Sequence, residues 1–228
     1  MFIILFIIGL ILFINHLKSW RQFKIWRWQR ALCTQKHSKT LQKISADING
    51  FALSRQARAK GDALEYVYGE IDFLSFIALL TLTKPDHNTV FYDLGSGTGK
   101  AVFACSMIFP VKKSCGIELF HELHLAARTQ LKQLLKLSDY EVVARRIHFI
   151  QGNFLQTDFY DATLIFINAT GYFGDTWIAL NNRLEDLPIG TIVITTTKQL
   201  LSSRYTIQRV TAVQMSWGIV RAYIHMKT

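Results

Sequence analysis

The chain has 228 residues, half of them hydrophobic, enough for one ordinary α/β domain plus an appendage and for a core that needs neither metal nor disulfides. Its three cysteines, Cys33, Cys105 and Cys115, are odd in number and in no C-x-x-C spacing, which argues against a disulfide framework and fits a reducing compartment. The net charge of +10 is confined to residues 1–60, which carry 11 Lys/Arg against the single acid Asp47, whereas residues 61–228 carry 15 of each sign; a nucleic-acid enzyme usually bears its basic face on the domain itself, so this distribution counts against a nucleic-acid partner.

Residues 1–14 contain no polar side chain. As a helix they reach about 21 Å, and extension to Trp20 gives about 30 Å, the thickness of a bilayer core. Lys18, Arg21, Lys24, Arg27 and Arg30 follow, interleaved with Trp20, Phe23, Trp26 and Trp28. Lys/Arg mark a cytoplasmic flank and Trp the headgroup layer. No basic stretch precedes the apolar run, as a cleaved signal peptide requires. The expectation is a transmembrane anchor over 1–20, single-pass, with the catalytic domain on the cytoplasmic side. An interfacial helix and a basic tail for nucleic acid are the competing readings.

Residues 21–45 read as a basic, aromatic juxtamembrane segment running into a polar linker, and 46–228 as the catalytic domain. Spacing predicts a helix over 46–60 leading to Gly61, and another over 70–82 that stops before Lys84-Pro85. Strand and helix signals then alternate. Strands are predicted at 89–94, 113–117, 147–151, 163–168 and 191–197, with helices at 100–109, 119–137 and 175–184. Two further strands, near 205–210 and 217–225, close the chain with no helix between them. Alternating βα units predict a doubly wound, mostly parallel sheet, here seven-stranded with an antiparallel C-terminal strand pair.

The string FYDLGSGTGK at 91–100 reads as a buried strand, a glycine turn and a helix start. Gly95, Gly97 and Gly99 give G-x-G-x-G, whereas the dinucleotide fingerprint is G-x-G-x-x-G, and Ala101 after Lys100 breaks the phosphate-loop pattern. Such a turn lets a ligand lie on bare backbone at a strand end. Ser96, Thr98 and Lys100 belong to the same loop. Glu118 ends the next strand, where an acid can accept from both ribose hydroxyls; its other reading is a helix-start acid suited to the dipole. Asp93 can face a cationic ligand group or cap the loop. Asn153 and Phe154 follow the third strand, where an amide and a ring could hold adenine; Gly-Asn is also a common turn. Asn168 and Tyr172 follow the fourth. His121-Glu122-Leu123-His124 is one residue short of H-E-x-x-H, and no metal site is expected.

The glycine string with Asp93 looks like the S-adenosylmethionine loop of class I methyltransferases. VYGE at 67–70, FYDLGSGTGK at 91–100, CGIE at 115–118, GNFL at 152–155 and IFINATGYF at 165–173 together resemble the non-SET histone-lysine methyltransferases named for disruption of telomeric silencing. The resemblance runs from about Tyr66 to Lys198. It implies a seven-stranded methyltransferase sheet, S-adenosylmethionine as cofactor and a protein lysine as acceptor. It further implies that Tyr68 and Glu70 belong to a loop closing over the cofactor and that Asn168 lines the lysine channel, with Asn168 and Tyr172 orienting the acceptor nitrogen. Two departures stand out. The family usually has aspartate at Asn153, and two asparagines and a phenylalanine where this chain reads Asn168-Ala169-Thr170. The leading expectation is a membrane-anchored protein-lysine methyltransferase, with a membrane protein as a candidate substrate. A methyltransferase for a lipid or membrane-soluble acceptor and an inactive cofactor-binding scaffold are the alternatives.

Overall fold

The computed structural model describes residues 2–59 and 68–228, with side chains from residue 16 onward. The expected helix end at Gly61, Tyr66 where the resemblance begins, Val67 of the VYGE string, and the side chains of the apolar run 1–14 lie outside the described residues. Seven strands form one sheet: β1 (Val90–Leu94), β2 (Lys113–Glu118), β3 (Ile147–Gln151), β4 (Leu164–Ile167), β5 (Ile192–Thr196), β6 (Tyr205–Met215) and β7 (Gly218–Lys227). Their order is β3-β2-β1-β4-β5-β7-β6. The first five pair in parallel, and β7 enters antiparallel between β5 and β6. The expected α/β sheet and its antiparallel closing pair are therefore present. β6 runs to Met215, longer than expected, because β7 pairs with it through a register shift between Ile207 and Arg209.

Every residue of β1 is buried, as a parallel strand covered on both faces requires. Alternate residues feed two cores. Phe91 joins Phe76, Phe103 and Phe166 on one face, while Tyr92 and Leu94 join Ile117, Ile165, Trp177 and Leu184 on the other. Helix α4 (Phe73–Thr81) closes the first core. Asp72 starts it by accepting from Ser75 N at 2.8 Å, and it stops before Lys84, which has φ 53, and Pro85. Helices α5 (Lys100–Ile108), α6 (His121–Leu135), the single turn α7 (Glu141–Ala144) and α8 (Gly174–Leu184) complete the layers. On the β6–β7 pair, Val213, Met215, Ala222 and Ile224 face the first core, whereas Val210, Ile219 and Arg221 are exposed. The chain steps from β1 outward through β2 and β3, then returns to β4 on the other side. That reversal opens a crevice beyond the carboxyl ends of β1 and β4.

The N-terminal expectations need correcting. Helix α1 spans Phe2–Ala31, yet among the described residues no helix is long and apolar enough to cross a membrane. The transmembrane helix, and with it a single-pass placement with the domain on the cytoplasmic side, is not supported. The physical reason lies in the described part of α1. It carries Lys18, Arg21, Lys24, Arg27 and Arg30 within a few turns, and Lys24 and Arg30 sit over the Trp20 and Trp26 rings. Its far end docks on the fold: Trp28 and Leu32 pack against the first core, and Trp28 Nε1 donates to Thr81 Oγ1 at 3.4 Å.

Part of the segment read as a polar linker is helical. Residues 34–44 form α2 (Thr34–Ile44), whose Thr34, Leu41 and Ile44 are buried. Three apolar-facing positions a helical period apart suffice to dock a helix that is otherwise polar. Helix α3 (Gly50–Arg58) follows, capped by Asn49 Oδ1 accepting from Ala52 N at 3.0 Å.

Phe76 is 1% exposed, with its ring centroid 6.1 Å from that of Phe91 and 5.2 Å from that of Phe166. Phe76→Ala would open a cavity at the junction of α4, β1 and β4 and is expected to lower unfolding free energy by about 3–5 kcal/mol in urea titration. A loss below about 1 kcal/mol would show that α4 is not anchored there.

Candidate active site

The turn after β1 is fastened to the end of β2. Gly95 N and Ser96 N both donate to Ile117 O, at 2.9 and 3.0 Å, and Gly97 N donates to Glu118 Oε2 at 2.7 Å. Gly97 has φ +55, and a Cβ there would stand 2.6 Å from the Tyr68 ring. A Cβ on Gly95, at φ +87, would run into the Tyr172 hydroxyl. Only glycine fits a turn covered this closely by two phenols.

Asp93 and Glu118 lie at adjacent strand ends and are 5% and 6% exposed. Burial, reinforced by the Glu118 charge, pushes the Asp93 carboxyl up to about 8. Burial also raises Glu118, against hydrogen bonds from the Phe120, Gly97 and Leu119 backbone. Glu118 Oε1 accepts from Phe120 N at 2.8 Å. Glu118 thus ends β2, three residues before α6 begins, and holds the glycine turn and the Phe120 backbone. A carboxylate has about four acceptor positions, so the same group can still accept from two hydroxyls of a ligand. Ser96 Oγ is buried with no hydrogen-bond partner among the described residues. A polar ligand carrying a cation and hydroxyls meets these needs.

Opposite the turn, Tyr68 Oη donates to Glu70 Oε1 at 2.6 Å and lies 3.1 Å from Thr98 Oγ1. Lys100 Nζ pairs with Glu70 Oε2 at 2.6 Å. Asn168 links three segments: Nδ2 donates to Gly69 O at 3.2 Å, and Oδ1 accepts from Thr170 Oγ1 at 3.0 Å and Thr196 Oγ1 at 2.8 Å. Tyr172 donates to Leu94 O at 3.3 Å, and burial raises its hydroxyl pKa. Asn153 Oδ1 accepts from Leu155 N at 2.8 Å, so the turn reading of Gly-Asn holds, while its amide group still borders the pocket. The Phe154 ring meets Tyr172 edge-on at 5.1 Å.

One pocket brings together Tyr68, Glu70, Asp93, Gly95, Ser96, Gly97, Lys100, Glu118, Asn153, Phe154, Asn168 and Tyr172. Leu119, Phe120 and Leu123 add an apolar wall for a flat ring. Thr98 and Gly99 stand behind the turn; Thr98 is 1% exposed, and its carbonyl accepts from Gln130 Nε2 at 2.9 Å. Sequence reading missed Gln130 and Trp217. The Trp217 ring lies on Gly69, where a Cβ would overlap it, and Ser216 N donates to Glu70 O at 2.8 Å. Nothing in a strand-like Ser-Trp-Gly signals that it backs a loop some 150 residues earlier; only the closing β6–β7 hairpin creates the contact.

Comparison with known proteins agrees with this geometry. The chain is 32% identical over 136 residues to a Caenorhabditis elegans histone-lysine N-methyltransferase, H3 lysine-79 specific, covering 57% of this chain and 14% of that one. It is 28% identical over 87 residues to a Saccharolobus islandicus protein-lysine N-methyltransferase, covering 38% of this chain and 50% of that one. The chain thus spans half the length or less of these curated relatives. Among solved structures, a Salinibacter ruber RNA methyltransferase in complex with S-adenosyl-L-homocysteine superposes with a TM-score of 0.52 at 24% identity, covering 67% of this chain and 90% of that one; this likeness concerns the fold. The sequence profile of "Histone methylation protein DOT1" matches residues 58–221. Since that match takes in well over half of the chain, the protein belongs to the DOT1 family.

Proposed function

We propose that this chain is an S-adenosylmethionine-dependent methyltransferase whose acceptor is the side-chain amine of a protein lysine. The observation that carries the reading is the pairing of two buried carboxylates with a glycine turn at the sheet's reversal point, within a DOT1-family chain. Bound there, S-adenosylmethionine supplies a methyl group on a sulfonium, and an in-line displacement by a neutral amine needs little acid–base assistance.

The chain's own residues then have three tasks. Glu118 accepts from the ribose hydroxyls, Asp93 offsets the cationic end of the ligand, and Asn153 with Phe154 holds the adenine. Tyr68, Glu70, Lys100 and Thr98 fasten the covering loop on the far side, joined to it through the Glu70 carboxylate. Asn168 and Tyr172 orient the acceptor nitrogen, Asn168 by fixing the Gly69 carbonyl relative to the β4 end. Positioning of this kind can supply roughly 7–11 kcal/mol of the barrier. A poorly hydrated pocket also favours the neutral form of an incoming lysine.

The test uses the full chain with tritiated S-adenosylmethionine and total cell extract, with Gly97→Arg as control. Methyl-lysine on a labelled protein, lost in the control, is the expected result. Label that partitions into organic solvent would shift the acceptor to a lipid. Cofactor binding without any transfer would leave a scaffold, and no binding by calorimetry would refute the reading. Asn168→Ala is expected to lower kcat by roughly 10–100-fold with cofactor affinity nearly unchanged; full turnover would remove Asn168 from the mechanism.

The carboxylates also predict a pH dependence. Asp93 titrates near 8 in the folded chain against 3.8 ordinarily. Between those values the folded state holds a proton that the unfolded state has lost, so the stability of the ligand-free chain falls as pH rises through this window. A cationic ligand lowers the folded value, so binding releases a proton. From about pH 5 to pH 7, where a ligand α-amine stays protonated, cofactor affinity should rise with pH by up to about tenfold per unit. Calorimetry in buffers of different ionisation enthalpy reads the released proton directly, and Asp93→Asn should flatten the profile. An affinity independent of pH would show that no cation faces Asp93.

A further inference from the structure

A second, more open groove lies next to the cofactor pocket and takes no part in the roles assigned above. It forms where the segment after β5 meets the start of α8 and the uncovered face of the β6–β7 pair. Phe173, Trp177, Lys198, Leu201, Arg221 and Tyr223 line it. Thr197 N donates to Arg221 O at 2.7 Å, which sets Lys198 and Arg221 on neighbouring strands' ends. Lys198 Nζ donates to the Tyr172 carbonyl and stands 3.4 Å from the Phe173 ring centroid. Neither cation has a carboxylate partner among the described residues, and no carboxylate lines the groove. Phe173 and Leu201 are 50% and 62% exposed, an apolar floor under two cations.

The groove and the pocket meet at Tyr172 and Phe173, consecutive residues of which the first lines the pocket and the second the groove. Tyr172 places its hydroxyl against the glycine turn, while its carbonyl is held by Lys198. The hydroxyls of Thr170 and Thr197, 2.8 Å apart, tie the same two segments together. About two residues of extended chain span the width of one tyrosine. A peptide with its lysine in the pocket would therefore lay its near neighbours in the groove.

We propose that this groove receives an acidic residue of the substrate protein close to the acceptor lysine, with Arg221 pairing the carboxylate and the aromatic floor packing an adjacent apolar side chain. The inference rests on the lysine-acceptor reading and adds to it a substrate class: lysines in acidic sequence. Arg matches carboxylate geometry in a forked, two-bond pair, and cations over exposed aromatic rings recognise side chains that carry both charge and apolar surface. A phosphate alone would leave the floor unused.

The test is a lysine-centred peptide library with each flanking position fixed in turn as Asp, Ala or Lys, assayed on the full chain for methyl transfer and, in parallel, for equilibrium binding by fluorescence anisotropy. Asp at one or two neighbouring positions should raise kcat/KM and affinity about two- to fivefold over Ala, with the preference weakened by salt. Arg221→Glu should invert the preference toward Lys at those positions while cofactor affinity stays unchanged. Arg221→Gln should abolish it, and since Arg221 is an exposed strand residue, an unchanged melting temperature excludes misfolding. Methylation without an acidic preference, or a preference that survives Arg221→Glu, would overturn the proposal and leave the lysine reading standing. Charge-selective binding with no transfer to any peptide would support the groove and count against the lysine reading. Neither selective binding nor transfer would overturn both.

Discussion

Asp93 and Glu118 end adjacent parallel strands, with Asp93 paired in register to Gly116 two residues before Glu118, and both are almost out of water. Two like charges in a poorly hydrated pocket repel and lose solvation together. Glu118 is compensated by backbone N–H groups of the glycine turn and of Phe120. Asp93 has no such compensation among the described residues, and its elevated pKa reflects burial and Glu118. Lys100 lines the same pocket but is paired with Glu70 at 2.6 Å. The fold therefore holds open a site with unmet negative charge, and the rest of the pocket is arranged around a ligand able to meet it.

The covering side of the pocket is built by long-range bonds. Trp217 from the last hairpin backs Gly69, Ser216 bonds Glu70, and Asn168 reaches Gly69 from β4. Residues from two distant parts of the chain thus set the position of one short loop. In the Asn168-Ala169-Thr170 segment, Thr170 bonds both Asn168 and Thr197, and Thr196 bonds Asn168. Small hydroxyls here form a network from the β4 end to the β5 end. The network leaves Asn168 with little rotational freedom.

Much of this was legible in the sequence because it is local. The run 90–94 is wholly apolar but for Asp93, and the glycines at alternate positions admit few turns, so β1, its turn and α5 could be placed to within a residue or two. Glu118 could be assigned because the strand holding it ends in Cys-Gly-Ile-Glu. Elsewhere local composition misleads. The segment 34–44 looks like a solvated linker, since it buries only Thr34, Leu41 and Ile44 and its other docking residues, His37 and Thr40, are polar. The basic and aromatic collar of α1 fits a membrane flank by composition, but Trp28 and Leu32 use the same chemistry to pack on the core. The contact between Trp217 and Gly69 has no local signature, because it depends on the β6–β7 register and on the isolated bridge between Ile71 and Met215.

Charge is distributed across the site with opposite signs at its two ends. The carboxylates lie under the glycine turn, where the proposed cofactor carries its positive groups. Lys198 and Arg221 lie beside the acceptor end, separated from the turn by the body of Tyr172. On the proposed lysine reading, an acceptor there would meet positive charge from the cofactor and from these two side chains, which would lower its pKa and favour the neutral amine that displacement requires. The same repulsion opposes approach of a lysine in a basic segment. A lysine whose sequence neighbours are acidic escapes that penalty, because its neighbours pair with Arg221 while its amine loses the proton. Activation of the nucleophile and choice of substrate then follow from one electrostatic arrangement.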